Sequence, residues 1–415
     1  MQTKAQNSAQ GGRLRSVTLL GSSSGRNAGD AALMAGIMDE VDRACGRRLR
    51  YEIPTICPAY VRNFYPNDVV PVGMLPWNLS VKMLGLPTLR SIMRTDLTII
   101  FDAILFDRDL YNPLFNFLST LYLLLPRAHR RGKRIIGYDI GAGPFDKPMG
   151  KKMLRAVCDT MAFATLRDQG SMDWLLEVGV STDKIRLAAD AALNAPSVDD
   201  VTADRLIADA GLDPAQRIYG VNINKYLDSW ATPGRVPMSR DRFLGTVAAA
   251  LDRVVAEFGM PLLFVSTQYH DDDITRELMA RLKPGTRMGI VTNRALGHAA
   301  IKGIFRRLHV LFGMRLHSAI MATAELTPTV ALVYQPKVAY YFNHIALGDY
   351  AMHFDHFDEQ RLTAHLRRGW LERDELRAYL ERKIPPLRDT AAQAAHLVAM
   401  MDRGEDPLPV LQSWP

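Results

Sequence analysis

Three residues in the C-terminal half, Arg315, His317 and Ser318, have side chains that can bind an anion and move a proton. They follow the apolar run 308–312, which is typical of a buried parallel strand, and they precede a small and apolar segment that suits a helix. Ligands of open α/β sheets bind at such strand-to-helix turns, where the helix N-terminus adds N–H donors and a positive dipole. We therefore predict an anion site here, although an Arg-x-His pair alone is also compatible with a surface pair.

A loop rich in glycine and serine, residues 21–30, lies between a predicted strand over 15–20 and a predicted helix. The backbone N–H groups of such a loop can hold phosphate. The loop lacks the lysine of a Walker loop and the glycine spacing of a dinucleotide fingerprint. The sequence therefore excludes these two nucleotide-binding motifs at this position.

Strands and helices alternate through both halves of the chain, which indicates parallel βαβ units and an α/β fold. We predict two Rossmann-like domains whose parallel sheets face each other across a cleft, a GT-B-like architecture. The predicted strands include 97–101, 134–138, 217–222, 261–267, 288–292 and 329–334, and the predicted helices include 242–258 and 172–178, the latter capped by Ser171. The predicted organisation is a disordered lead over 1–14, a first domain over 15–195, a linker over 196–216, a second domain over 217–385, and a C-terminal helix and tail over 386–415 that can pack back on the first domain.

The composition of the 415 residues, 48% hydrophobic and 23% charged, is that of a globular chain long enough for two domains. The net charge of +7 favours acidic partners such as nucleic acid, anionic lipid or a phosphorylated small molecule. Nucleic acid is not predicted, because the basic residues form no stripe with interleaved aromatic residues. The three scattered cysteines argue against a disulfide framework and a zinc site, so we predict a reducing compartment and no metal.

Several polar motifs occur in a fixed order along residues 15 to 350. They are Asn27-x-Gly29-Asp30, Gly141-x-Gly143-Pro144, Arg167-Asp168-x-x-Ser171, Asp190, Arg315-Leu316-His317-Ser318, Pro328 and Tyr334-x-x-Lys337. Taken together, this order resembles the polysaccharide pyruvyl transferase family. The sequence departs from the family at Phe101-Asp102-Ala103, where the family usually has a Gly-Gly pair after its strand. That substitution reduces the freedom of the loop to approach a ligand and puts the acceptor, more than the donor, in question.

The resemblance implies transfer of a pyruvyl group from phosphoenolpyruvate to a sugar, with formation of a ketal across two hydroxyls and release of phosphate. Phosphoenolpyruvate is then the donor substrate, and no cofactor is expected. Acceptors in this family are often lipid-linked saccharides, so the resemblance implies a cytoplasmic protein that can make a peripheral contact with the inner membrane face. The apolar stretches 69–89 and 114–125 are candidate contacts, although a packed loop and burial in the core are simpler explanations of the two.

The resemblance also suggests roles for charged residues. Arg167 and Arg315, facing each other across the cleft, are candidates to bind the carboxylate and phosphate of phosphoenolpyruvate. For Arg167 the alternative is a structural pair with a nearby carboxylate. His317 is the candidate general acid, and its alternative role is a hydrogen bond to phosphate.

Two further charged residues, Asp30 and Lys337, each have a catalytic or binding role and a structural role as alternatives. Asp30 is a candidate base for the sugar hydroxyl, oriented by Asn27, or else a helix cap. Lys337 either completes the anion site or is a solvated lysine. The remaining predicted substrate contacts are Gly29, Gly143, Ser171 and Ser318, whereas Asp168 and Asp190 are expected to be structural and bonded to turn amides.

Two other functions are compatible with the same pattern. A glycosyltransferase of GT-B-like architecture would use the anion site for the diphosphate of a nucleotide sugar. A polysaccharide-assembly protein that has lost catalysis would bind ligand without releasing phosphate. The sequence predicts neither the acceptor sugar nor the oligomeric state.

Overall fold

The computed structural model describes residues 13–73, 85–111, 116–225 and 238–414. The chain divides into two compact units. The first unit consists of the described parts of Met1–Ser24, Met34–Ala191 and Asp389–Pro415, and the second consists of Gly25–Leu33 and the described parts of Ala192–Arg388. The predicted lead over 1–14 lies outside the described residues except for its last two positions.

The first unit contains a seven-stranded parallel sheet with the strand order β3-β2-β1-β4-β5-β6-β7. Its strands are β1 (Ser16–Leu20), β2 (Arg50–Thr55), β3 (Asp68–Gly73), β4 (Leu97–Ile100), β5 (Arg134–Ile140), β6 (Ala164–Leu166) and β7 (Ile185–Leu187). Its helices are α1 (Ala28–Cys45), which begins in the second unit, α2 (Pro58–Phe64), α3 (Leu86–Arg94), α4 (Leu118–His129), α5 (Pro148–Cys158) and α6 (Gln169–Glu177). The strand order reverses between β1 and β4.

The second unit contains a six-stranded parallel sheet with the order β10-β9-β8-β11-β12-β13, which reverses between β8 and β11. Its strands are β8 (Tyr219–Asn222), β9 (Leu262–Ser266), β10 (Met288–Thr292), β11 (Val310–Gly313), β12 (Thr329–Val333) and β13 (Ala351–His353). Its helices are α7 (Asp200–Asp209), α8 (Arg240–Phe258), α9 (Asp272–Met279), α10 (Asn293–Leu296), α11 (His298–Arg307), α12 (Leu316–Ala324), α13 (Pro336–His344) and α14 (Glu359–Leu371). Helix α15 (Arg373–Arg403) passes from the second unit into the first, where α16 (Leu408–Gln412) follows.

The predicted fold of two parallel α/β domains is confirmed. Every residue of β4, β8, β9, β11 and β12 is buried, as expected for central strands of a sheet covered on both faces. The predicted helix over 242–258 corresponds to α8, which begins two residues earlier because Ser239 caps it by accepting a hydrogen bond from the Arg242 N–H. The apolar runs of the sequence were therefore sufficient to locate the strands that carry the core.

The linker predicted over 196–216 is not a linker in the structure. It contains α7, which belongs to the second unit and packs against α11. Asp199, one of the residues that suggested a linker, caps this helix by accepting a hydrogen bond from the Thr202 N–H at 2.7 Å. Ala203 and Ile207 are fully buried, so the segment contributes to the core of the unit.

A buried lysine fixes the chain where it enters the second unit. The ammonium group of Lys302 in α11 donates to three backbone carbonyls, those of Ala192 at 3.1 Å, Leu193 at 2.9 Å and Ala195 at 2.6 Å. Lys302 is only 1% exposed. Three acceptors match the three donors of an ammonium group, so the burial of this charge is compensated by hydrogen bonds.

The two apolar stretches predicted as membrane contacts are only partly described, because 74–84 and 112–115 lie outside the described residues. The beginning of the first stretch lies in β3, and most of the second lies in α4. Leu121 and Leu125 of α4 lie in the core of the first unit. In the described ranges, no helix is long and apolar enough to cross a membrane.

We expect the protein to lose stability as the pH falls from about 6.5 to 4, because the buried His298 and the half-buried His365 are held in their neutral form. Burial lowers the pKa of His298 and that of His365 from 6.5 to about 4. A pKa lowered by folding contributes stability above the unfolded value of about 6.5, and this contribution is lost as the pH falls toward the folded value. Each shift corresponds to roughly 3 kcal/mol. Denaturant unfolding of a His298→Gln/His365→Gln variant at several pH values should show a shallower decline, and an unchanged pH dependence would contradict the assignment.

Candidate active site

The predicted strand-to-helix turn is present between β11, which ends at Gly313, and α12, which begins at Leu316. Arg315 is the N-cap residue, but its extended backbone is accompanied by no side-chain capping hydrogen bond. The Arg315 side chain therefore does not cap α12, and the helix dipole makes this end of the helix positive. The turn follows the strand at which the order of the second sheet reverses, the position where open parallel sheets bind ligands.

Arg315 forms a bidentate ion pair with Asp271, a fully buried residue that follows β9. Its Nε donates to Oδ2 of Asp271, and its Nη2 donates to Oδ1 at 2.8 Å and to Oδ1 of Asn224 at 3.2 Å. Burial alone would lower the pKa of Arg315, but the Asp271 carboxylate reverses this effect and holds the pKa above its usual value. Nη1 makes no hydrogen bond to a described residue, so its two N–H donors remain for an anion.

Hydrogen bonds between neutral polar side chains connect the ends of β8 and β9 with the turn that contains Arg315. Asn222, the last residue of β8, donates to the carbonyl of Val265 at 2.8 Å and accepts a hydrogen bond from the Arg315 N–H at 3.3 Å. The hydroxyl groups of Thr267 and Ser318 lie 3.2 Å apart. Ser318, a predicted substrate contact, is fully buried and links α12 to the end of β9.

His317 lies beside Asp30, which is in the first turn of α1 and belongs to the same unit. The Nδ1 atom of His317 is 3.5 Å from Oδ1 of Asp30. Asn27 donates to the same Asp30 oxygen at 2.8 Å and accepts a hydrogen bond from the Gly29 N–H at 3.0 Å. Asn27 is therefore the residue that caps α1, and Asp30 contacts both this cap residue and His317. A carboxylate beside Nδ1 orients the imidazole of His317.

Gly29 permits this arrangement because the His317 side chain packs directly on its Cα. A Cβ atom at position 29 would lie 2.1 Å from Cβ of His317 and 2.5 Å from its Nδ1. Contacts below 3.0 Å require one of the two groups to move. The predicted substrate-binding role of Gly29 thus has a second explanation, close packing of α1 against α12.

We expect Gly29→Ala to displace the His317 imidazole and lower turnover by at least about tenfold, since small displacements of a catalytic group have large effects on rate. Gly245 in α8 provides the control, because a Cβ atom there meets no heavy atom within 4 Å. The measurement compares turnover and the thermal unfolding midpoint of Gly29→Ala and Gly245→Ala. Unchanged turnover in Gly29→Ala would show that the position of His317 is not needed for catalysis.

Two residues after β12 lie toward the same end of the second sheet. Burial raises the pKa of the Tyr334 hydroxyl, and the nearby positive charge of Arg315 opposes this rise. Lys337 is half-buried in the first turn of α13. The structure places Lys337 at a second helix start without a side-chain cap, and its predicted part in anion binding stays a prediction.

In the first unit, Arg167 follows β6 and lies between two carboxylates. Its Nη1 atom is 3.1 Å from Oδ2 of Asp190 and 3.7 Å from Oδ1 of Asp102. All three side chains are less than one-tenth exposed. This arrangement corresponds to the structural pair that the sequence left open for Arg167, and the second carboxylate comes from the segment that departs from the family pattern.

Asp102 has a left-handed backbone conformation, with φ 68°, which glycine adopts without strain. Its own Oδ1 accepts a hydrogen bond from the Ala103 N–H at 2.6 Å, the local bond by which aspartate tolerates this conformation. The ring of Phe101 packs on Gly21, where a Cβ atom would lie 2.5 Å from the ring. Phe101 therefore covers Gly21 just after the carboxyl ends of β1 and β4, where the strand order of the first sheet reverses.

Asp139 is a further buried carboxyl group of the first unit. It is fully buried, and burial raises its pKa well above the usual value. Its Oδ1 accepts a hydrogen bond from the Thr165 hydroxyl at 2.9 Å. Burial therefore disfavours the charged form of this carboxyl group near the end of β5.

Ser171 does not cap α6, contrary to the prediction. The cap is Asp168, which accepts a hydrogen bond from the Ser171 N–H at 2.8 Å, so the helix begins at Gln169. The Ser171 hydroxyl instead accepts a hydrogen bond from the Ala142 N–H at 2.9 Å and holds the loop after β5. Gly143 in this loop has φ 95°, and a Cβ atom there would lie 2.2 Å from Nε1 of Trp174.

The sequence did not identify Asp271, Asn222 and Asn224 as parts of the site. Each follows or ends a strand, and the polar residues after β9 were the available signal. Their relevance depends on the strand order, because β9 and β11 are separated by β8 in the sheet. The pairing of Asp271 with Arg315 is therefore a property of the sheet topology.

A protein-family model described as "Polysaccharide pyruvyl transferase" matches residues 27–336, which is more than half of the chain. The matched region contains the Asp30–His317 contact and the Arg315 ion pair. It also contains Arg167 and its two carboxylates. No functionally curated protein matches the sequence.

Solved structures with a similar fold have little sequence identity to this chain. A UDP-N-acetylglucosamine 2-epimerase from Neisseria meningitidis bound to UDP-GlcNAc has a TM-score of 0.59 and 8% identity, with 92% of this chain and 98% of that chain covered. A putative UDP-N-acetylglucosamine 2-epimerase from Listeria monocytogenes has a TM-score of 0.63 and 11% identity, with 94% and 96% covered. ADP-heptose LPS heptosyltransferase II from Escherichia coli has a TM-score of 0.51 and 11% identity, with 87% and 100% covered. These similarities establish a GT-B-like fold.

Proposed function

Because the chain belongs to the polysaccharide pyruvyl transferase family, we propose that it transfers a pyruvyl group from phosphoenolpyruvate to a sugar of a polysaccharide or lipid-linked saccharide. The product is a ketal across two hydroxyl groups, and phosphate is released. Phosphoenolpyruvate is the donor substrate, and the proposal requires no cofactor. It places the protein in the cytoplasm, with a peripheral contact to the membrane that carries a lipid-linked acceptor.

The observation that supports this proposal most strongly is the grouping of Arg315, His317 and Asp30 at the start of α12. Phosphoenolpyruvate carries a carboxylate and a phosphate, so its site must offer several N–H donors. The positive N-terminal end of α12, whose N-cap residue Arg315 makes no side-chain capping bond, and the two donors of Arg315 Nη1 can supply such donors. His317 adds a group that can exchange a proton next to these donors.

The proton balance of the reaction gives His317 its role. The two sugar oxygens form bonds to C2 of the pyruvyl group, the methylene carbon C3 gains one proton, and the phosphate oxygen leaves with the other. His317 is the general acid that supplies the proton to C3 or to the departing phosphate. The hydrogens of the two sugar hydroxyls replace these protons, so the overall reaction consumes none.

Asp30 is proposed to position His317, a different role from the base suggested by the sequence. Its Oδ1 atom accepts a hydrogen bond from Asn27 and lies beside Nδ1 of His317. An Asp30→Asn variant should therefore lower kcat more than it changes KM for phosphoenolpyruvate. A loss of stability with unchanged kcat would indicate that Asp30 only supports the helix end.

The first experiment is thermal unfolding of the purified protein with phosphoenolpyruvate and, separately, with a panel of nucleotide sugars. A ligand that binds the folded state raises the unfolding midpoint by mass action. We expect a rise with phosphoenolpyruvate that is lost in Arg315→Ala. The same measurement on Arg167→Ala tests the predicted part of Arg167, whose removal should also abolish the rise if this arginine binds the donor.

Other outcomes would favour the alternative functions. A rise with a nucleotide sugar alone would indicate a glycosyltransferase, a function that agrees with the nucleotide-sugar enzymes of similar fold. A rise with phosphoenolpyruvate but no phosphate release with any saccharide acceptor would indicate an assembly protein without catalysis. The experiment therefore separates the three functions by ligand and by product.

A further inference from the structure

The first unit has a basic cavity at the amino ends of its strands. The cavity has a volume of about 650 Å³. Its lining residues are Arg13, Leu14, Arg15, Arg47, Arg48, Leu49, Asp96 and Arg134. Asp96 precedes β4 and Arg134 begins β5, whereas Asp102 and Asp139 lie at the opposite ends of the same strands. The cavity is therefore separate from the cluster around Arg167.

The lining contains five arginines, and their charges are only partly compensated. Both Nη atoms of Arg47 are engaged, because they donate to the two carboxylate oxygens of Asp402, at 2.7 and 2.6 Å, and to the carbonyls of Leu14 and Cys45. The Asp96 carboxylate mainly accepts backbone hydrogen bonds. Its Oδ2 accepts from the Arg15 N–H at 2.9 Å and from the Ser16 N–H at 3.1 Å. Two carboxylates thus face five guanidinium groups.

The other arginines keep N–H donors for a ligand. Arg15 has a side chain that is 88% exposed, and its Nε atom is 4.0 Å from Asp96. Within the described ranges, the only hydrogen bond that Arg48 donates from its side chain is to the carbonyl of Pro66, at 3.3 Å. Arg134 donates to the carbonyls of Asp96 and Met401 at 3.4 and 3.3 Å. Among the described residues, neither Arg48 nor Arg134 forms an ion pair with a carboxylate.

Helix dipoles can explain basic residues at this end of a parallel sheet. The helices end near the amino ends of the strands, and the C-terminal end of a helix carries a partial negative charge that basic residues compensate. Such compensation requires basic residues within the last turn of each helix. Arg43 of α1, Arg94 of α3 and Arg127 of α4 hold those positions. The arginines of the cavity lie outside these helices, so dipole compensation does not account for them.

We propose that this cavity is a binding site for phosphate groups. The planar guanidinium group of arginine binds two phosphate oxygens at once, and the cavity volume of about 650 Å³ is in the range of small-molecule sites. The phosphate can belong to a soluble polyphosphorylated compound or to the headgroup of an anionic lipid, and both use the same chemistry. Leu14 and Leu49 line the cavity but are fully buried, so the charged groups that a ligand meets are those of the arginines.

The test compares Arg15→Gln/Arg48→Gln with Arg205→Gln/Arg382→Gln in the full-length protein. All four arginines are exposed, and both variants lose the same formal charge. Calorimetric titration with inorganic pyrophosphate measures the soluble source. Cosedimentation with phosphatidylcholine vesicles, with and without phosphatidylglycerol, measures the lipid source. We expect at least a tenfold loss of binding in the cavity variant in one of the two measurements and little change in the control variant.

The outcomes separate the two ligands and can reject the site. Pyrophosphate binding that is weakened only in the cavity variant supports a soluble ligand. Binding restricted to vesicles with phosphatidylglycerol and lost only in the cavity variant supports a lipid headgroup. Equal binding by the two variants, or no binding by the unmodified protein in either measurement, would overturn the proposal. Donor binding measured with phosphoenolpyruvate is an independent readout of the second unit.

Discussion

Replacement of His317 with glutamine is expected to lower turnover by about a hundredfold or more while the protein stays folded. Glutamine keeps a hydrogen-bonding side chain of similar reach but has no group that exchanges a proton near neutral pH. General acid catalysis typically contributes about 10²–10⁴-fold to the rate. If His317 only binds phosphate, the amide donor of glutamine should preserve much of the rate.

The measurement is phosphate release from phosphoenolpyruvate with a saccharide acceptor, together with the unfolding midpoint of the variant. His356→Gln is a suitable control, because His356 is exposed in the same unit. The rise in unfolding midpoint with phosphoenolpyruvate should persist in His317→Gln, since Arg315 and the start of α12 are unchanged. Turnover within a few-fold of the unmodified protein would reject His317 as the general acid.

The turn that contains Arg315 and His317 could be located from sequence because its signals are local. A short apolar run predicts the strand, small apolar residues predict the helix, and the polar residues between them lie at the turn. The structure has β11, α12 and this turn at the predicted positions. Local patterns were also sufficient for the parallel sheets, whose central strands are apolar runs buried on both faces.

The partners of these residues could not be predicted, because they depend on contacts between distant segments. Asp271 and Arg315 follow strands that are not neighbours in the sheet, so their ion pair depends on the strand order. The start of α1 falls in the predicted first domain over 15–195, because a sequence prediction follows the continuity of the chain. In the structure Gly25–Leu33 belongs to the second unit, where the Ala28 N–H donates to the Thr267 carbonyl at 2.8 Å.

The departure from the family pattern at Phe101-Asp102-Ala103 has a local explanation. A Gly-Gly pair suggests a left-handed backbone, and Asp102 keeps that conformation through its hydrogen bond to the Ala103 N–H. The substitution therefore changes the side chains at the end of β4 more than the path of the backbone. It introduces the Phe101 ring next to Gly21 and a carboxylate 3.7 Å from Arg167.

Replacement of Asp271 with asparagine is expected to destabilise the protein by about 3–5 kcal/mol, the usual cost of breaking a buried ion pair by removing one partner. Asp271 is fully buried and bonds both Nε and Nη2 of Arg315. An asparagine retains one acceptor oxygen and presents an N–H₂ group to a guanidinium that cannot accept a hydrogen bond. Arg315 would then be a buried cation without its counterion, and its orientation would no longer be fixed.

The measurement is denaturant unfolding with and without phosphoenolpyruvate, and Asp272→Asn is the matched control. Asp272 is the neighbouring residue, but its ion-pair partner Arg294 is 61% exposed, so its loss should cost less than about 1 kcal/mol. Because Asp271 orients the guanidinium, Asp271→Asn should also lose most of the stabilisation by phosphoenolpyruvate, whereas Asp272→Asn should keep it. An Asp271→Asn protein with unchanged stability and unchanged ligand stabilisation would show that Arg315 is held by other groups. Loss of stability with full retention of ligand stabilisation would instead limit the ion pair to a structural role and remove Arg315 from the donor site.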